Sequence, residues 1–74
     1  MKYQYETVTL PHGQENKIIL RDYEIFGCDH DHGIHDVIKP IIRKGYERAM
    51  STAALLRESG YARIVINPSI IYHA

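Results

Sequence analysis

Ile38-Lys-Pro-Ile-Ile-Arg-Lys-Gly-Tyr-Glu-Arg-Ala-Met-Ser-Thr-Ala-Ala-Leu-Leu-Arg-Glu-Ser59 is the stretch on which the fold turns. At 100° per residue, Ile38, Ile41, Ile42, Gly45, Tyr46, Ala49, Ala53 and Leu56 fall on one arc. Arg43, Lys44, Glu47, Arg48, Ser51, Arg57 and Glu58 fall on the other side, which predicts a one-faced helix lying on a sheet. Pro40 lacks an N–H and clashes with the carbonyl four residues back, so the regular helix is expected to begin near Lys39. His35-Asp36 to Ile38 then forms a lead-in turn. Gly45 lies mid-stripe at a propensity cost of about 1 kcal/mol, which close approach of the helix to the sheet would justify. Gly60 follows where a left-handed C′ residue ends a helix, and Arg57 suits the negative end of the dipole, so the helix should stop at about Ser59.

The flanking segments read as strands. Tyr3 to Leu10 alternates and is rich in β-formers, and Pro11 to Asn16 carries the Pro and Gly of a hairpin tip. Lys17 to Phe26 is a second strand with a break expected near Arg21-Asp22; apolar residues on both faces suggest a central strand or one that meets another chain. Ala62 to Ile66 is a third, and Asn67-Pro68-Ser69 separates it from a fragment at Ile70-Ile71-Tyr72. The expected fold is α+β, a small two-layer β-β-α-β(-β) domain with the helix on an antiparallel or mixed sheet. Residues 1–74 make one domain, since 74 residues leave no room for a second core.

Composition narrows the function. A domain this short buries only about 60% of the surface its unfolded chain exposes, so a metal or a partner chain is an expected source of extra stability. Cys28 is the single cysteine, which excludes an intrachain disulfide. No run reaches the roughly 18 apolar residues of a membrane span, and the first residues lack a signal-peptide core; a cytoplasmic protein is expected. Nine basic and nine acidic residues balance, so nucleic acid is an unfavoured partner. The helix arginines read as a solvated face, with Arg43 and Glu47 at i,i+4 spacing. No phosphate-binding glycine loop is present.

Cys28-Asp29-His30-Asp31-His32-Gly33-Ile34-His35-Asp36 concentrates one thiol, three imidazoles and three carboxylates between a strand and the helix. Zinc takes three or four N, S or O ligands, and an HxH pair on an extended segment points two imidazoles to one side, with Gly33 letting His35 fold back. Cys28, His30, His32 and His35 are therefore candidate zinc ligands. Strand, His-x-His-x-x-His, then helix resembles the metal-binding loop of the metallo-β-lactamase superfamily, with His30, His32 and His35 matching its three histidines. The resemblance covers about ten residues. Ile34 stands where that family has an aspartate, and the chain is too short for its αββα sandwich. The competing reading is a solvated loop in which Asp36 or a neighbour caps the helix, with His12 and His73 as ordinary exposed histidines. A Cys28–His30 pair lacks the orienting group and oxyanion donors of thiol catalysis, so no enzyme is expected.

Tyr3, Tyr5, Tyr23 and Tyr72 are more aromatic surface than one covering helix easily hides, and they are the expected partner-binding residues. The functional expectation is a non-enzymatic protein-binding module, a homodimer that regulates or inhibits a larger protein. The alternative is a zinc-binding protein, structural or minimally hydrolytic, built on the Cys28–His35 cluster.

Overall fold

A nine-residue strand, Asp22–His30, runs through the middle of the main sheet and positions the two strands beside it and the helix packed on it. The computed structural model describes residues 2–10, 12–33, 35, 36 and 39–69. In chain order the elements are β1 (Tyr5–Thr9), β2 (Glu15–Ile19), β3 (Asp22–His30), β4 (Ile41–Lys44), α1 (Tyr46–Glu58) and β5 (Tyr61–Asn67). β1 and β2 form an antiparallel hairpin with Val8 opposite Asn16. β4, β3 and β5 form a second antiparallel sheet in that order, with Ile25 opposite both Ile41 and Ile66. The architecture is thus α+β with one helix, as expected, but the strands form two antiparallel sheets rather than one, and β4 is a strand that the expected order lacks. The expected last strand at 70–72 lies outside the described residues.

The break expected near Arg21-Asp22 is real, and it divides two sheets rather than one strand. β2 ends at Ile19 and β3 starts at Asp22, while the Leu20 N–H still donates to the Gln4 carbonyl at 2.7 Å. Beyond the break, Tyr23 and Ile25 turn to one face and Glu24 and Phe26 to the other.

The helix begins later than its apolar spacing predicts. Ile41–Lys44 is a strand paired with Asp22–Ile25, and α1 starts at Tyr46. Pro40 and the β-branched Ile41-Ile42 favour extended backbone, and the strand gains a full ladder on β3 that a helix start would forgo. The spacing that put Ile41 and Ile42 on one helical arc instead sends them to opposite sheet faces: Ile41 packs on the core and Ile42 stays 48% exposed. Gly45 is the corner between strand and helix, not a mid-helix residue. Its φ of 97° and ψ of 150° lie in a region essentially restricted to glycine. At the other end the expectation stands: Ser59 caps the helix and Gly60 follows at φ 108°.

Small residues let α1 lie close to the sheet. Ala49, Thr52 and Ala53 are its buried positions, and Tyr23, Ile25 and Ala49 form the centre of the core with Ile41, Leu56, Ile64 and Ile66 around it. Because Gly45 has no side chain to offer, α1 takes its N-terminal cap from β1. A Glu6 carboxylate oxygen accepts the Tyr46 N–H at 2.6 Å, 40 residues away in sequence. That bond satisfies an otherwise orphan amide and sets a negative charge on the positive end of the helix dipole. It also ties the hairpin, whose Val8, Leu10 and Ile18 are buried, to the α1 layer.

Replacing Glu6 by Ala should lower stability by about 1–2 kcal/mol in urea titration, with Glu6→Gln recovering part of the loss because the amide oxygen still accepts. Gly45→Ala should cost about 1–3 kcal/mol, from the Gly-only backbone and from a Cβ placed 3.2 Å from Glu6 Oε2. Burial pushes the Tyr23 phenol above the usual tyrosine range; the Glu6 carboxylate adds to this and Arg21 opposes it. A value raised by folding stabilises the fold fully below the unfolded-state value of about 10 and is lost as pH rises through the folded-state value. Alkaline titration should therefore unfold the chain above pH ~10, and Tyr23→Phe should flatten that dependence.

Candidate functional site

β3 carries Cys28, Asp29 and His30 at its C-terminal end, so the first third of the candidate cluster is strand rather than loop. Cys28 is half-buried opposite Arg63 of β5. Asp29 has φ 57°, a left-handed conformation that aspartate tolerates better than most residues. Its N–H, turned out of the ladder, donates to Asp36 Oδ1 at 3.1 Å, and its own carboxylate takes Arg63 Nε at 3.2 Å. Asp36 therefore caps a strand amide. It is not the cap of α1, which starts only at Tyr46.

His30 is a strut inside the fold. Its imidazole is only 4% exposed, standing edge-on to the Tyr61 ring at a centroid distance of 4.7 Å and 81°. Nδ1 accepts the His32 N–H at 3.0 Å, which makes Nε2 the protonated nitrogen, and Nε2–H then donates to the Ser59 carbonyl at 2.5 Å. Ser59 ends α1, so His30 satisfies one of the orphan carbonyls of the helix C-terminus. Beside it the Asp31 N–H donates to the Gly60 carbonyl at 2.9 Å, and the Gly33 N–H closes a turn onto the His30 carbonyl at 3.1 Å. Gly27, two strand residues before Asp29, lies under the Tyr61 ring: a Cβ there would meet ring carbons at 2.8 Å. The residue must be glycine for the ring to lie flat on the strand.

The four expected zinc ligands are not brought together. His30 has both nitrogens engaged within the fold, and would have to release Ser59 or His32 to bind a metal. His32 is 80% exposed with its ring centroid 5.6 Å from that of His30, and His35 is exposed. Among the described residues no three His, Cys, Asp or Glu side chains are grouped to hold an ion. The local resemblance to the metallo-β-lactamase loop also loses its context, since β4 intervenes between His35 and α1. His12 bonds Gln14 Oε1 at 2.9 Å in the hairpin tip, and His73 lies outside the described residues.

The tyrosines separate by strand. Tyr3 and Tyr5 are exposed, at 58% and 61%. Tyr23 is 2% exposed and belongs to the core under α1, because it shares a strand face with Ile25; it is corrected from partner-binding to structural. Tyr72 lies outside the described residues. The sequence predicts a sheet face left open by the helix but not its membership: Glu24, Phe26 and Cys28 of β3 lie there between Ile42 of β4 and Arg63, Val65 and Asn67 of β5. The alternation along β3 and β5 is the signal that defines this face once Ile42 is known to be strand.

One groove of about 460 Å³ lies beside the helix start, lined by Glu6, Leu20, Lys44, Gly45 and Arg48 among others. Its dipole end is already filled by the Glu6 carboxylate, so an anion gains little there. No helix among the described residues is long and apolar enough to cross a membrane. No family model, curated protein or solved structure matches this chain. His30→Ala should lower stability by about 1–3 kcal/mol in denaturant titration, since it strips a buried bond from the helix end, whereas His32→Ala should stay within about 0.5 kcal/mol.

Proposed function

We propose that this chain is a small non-enzymatic protein-binding module that works as a homodimer and regulates or inhibits a larger protein partner. The observation that carries the reading is an uncovered sheet face: α1 packs on one side of the three-stranded sheet, and on the other Ile42 is 48% exposed beside half-buried Phe26 and Val65.

The chemistry of that face suits a protein partner. Its apolar residues Ile42, Phe26 and Val65 are flanked by charges of both signs, Asp22, Glu24, Lys44 and Arg63. Tyr3 and Tyr5 stand exposed on the separate hairpin, where amphipathic rings suit a second contact. Self-association through the three-stranded sheet would leave that hairpin available for the larger partner. Light scattering over a wide concentration range should return twice the 8.6 kDa chain mass; a monomer throughout would sink the homodimer. Affinity capture from its own cells should recover a partner that a Tyr3→Ala/Tyr5→Ala double variant loses while remaining dimeric.

A further inference from the structure

We propose that the outer edge of β5 pairs antiparallel with β5 of a second copy about a dyad at Val65, joining two three-stranded sheets into one of six. The inference rests on the homodimer reading and specifies its contact.

The hydrogen-bond phase of the sheet says which backbone groups look outward. The Gly45 N–H donates to the Arg21 carbonyl at 3.0 Å, in register with the β3–β4 pairs, so Arg21, Tyr23 and Ile25 direct their backbone groups to β4. Glu24, Phe26 and Cys28 consequently address β5 through their partners Asn67, Val65 and Arg63. Ile64 and Ile66 alternate with those partners and turn their N–H and C=O away from β3. Among the described residues no strand lies beyond them.

The other free edges carry the devices that keep strands apart, and β5 does not. β4 has four residues, enters from Pro40 and bears Arg43 and Lys44. β2 bears Glu15 and Lys17 in five residues, and β1 is equally short. β5 runs seven residues, Tyr-Ala-Arg-Ile-Val-Ile-Asn, and its one flanking proline, Pro68, lies outside the Ile64–Ile66 stretch that would carry the bonds. Its one charge, Arg63, is drawn back onto Asp29 of its own chain. A long edge with an apolar centre and no free charge is a template for another strand.

A dyad at Val65 makes the edge self-complementary. Ile64 then faces Ile66 of the partner subunit on the helix side. Val65 meets its symmetry mate on the open side, and Arg63 stands opposite Asn67 of the partner subunit, so no like charges oppose. The outward N–H and C=O of Ile64 and Ile66 exchange bonds with those of the second copy, and β-branched cross-strand pairs of this kind stabilise antiparallel sheets.

The test is charge exchange at the dyad. Val65→Lys and Val65→Glu each place like charges face to face, and each should raise the dimer dissociation constant at least about tenfold while circular dichroism stays native. Mixing the two variants should restore a dimer of both chains. Ile42→Lys, on the same sheet face but the far edge, should leave the dimer intact. A Val65→Lys protein that dimerises like the wild type overturns the edge pairing and leaves the homodimer standing. Loss of the dimer in Ile42→Lys also overturns it, because the copies then stack through their open faces. A second readout needs no variant: the Ile64 and Ile66 amides of the wild type should exchange slowly above the dissociation constant and quickly below it, and fast exchange in the dimer overturns the proposal. A wild-type chain that is monomeric at every concentration removes the homodimer reading itself.

Discussion

The bond from the Tyr46 amide to the Glu6 carboxylate joins the parts of this fold that the chain itself leaves apart. The hairpin and the three-stranded sheet share no ladder, so their union depends on side chains and on the helix between them. Gly45 makes that bond possible. Its extended, positive-φ backbone turns β4 sharply into α1 and, lacking a Cβ, leaves room for the carboxylate beside the first helical amides. The helix in turn is short, 13 residues, with alanines and a threonine as its buried positions, and an isolated helix of that length is marginal in water. It exists because strands hold both its ends.

The second end is held by His30 in a parallel way. A carboxylate from β1 serves the amide end and an imidazole N–H from β3 serves the carbonyl end, so each terminal charge complements the dipole or is neutral to it. This explains why a sequence so rich in potential metal ligands assembles none of them among the described residues. The left-handed kink at Asp29 breaks the strand alternation and lets His30 reach the helix end, while the turn at Gly33 leaves His32 in solvent. Asp29 and Asp36 spend their polar atoms on backbone and on Arg63.

What could be read in the sequence follows how local the governing physics is. Alternation from Tyr3 to Leu10, the turn residues after it, the break at Arg21-Asp22 and the Gly60 stop all act within a few residues, and each marks a boundary of an observed element. The start of α1 does not. Ile41 and Ile42 fit a helical arc and a strand equally well, and only pairing with Ile25 and Glu24, far back in the chain, decides between them. The burial of Tyr23 is non-local for the same reason, since it depends on which strand face α1 covers. Glu6 as a helix cap had no local signature at all, and the exposed sheet face could be defined only after β4 was recognised.

Gly27 and Tyr61 close a further loop of dependence. The ring fills the space a side chain at 27 would need, and it also braces His30 edge-on at the helix end. Position 27 can therefore gain a side chain over evolutionary time only if position 61 shrinks, and a smaller residue at 61 withdraws the wall against which residue 30 is held. These three sites should drift as a set in any descendants of this chain, a covariation linking a central strand, an edge strand and a helix terminus that are distant in sequence.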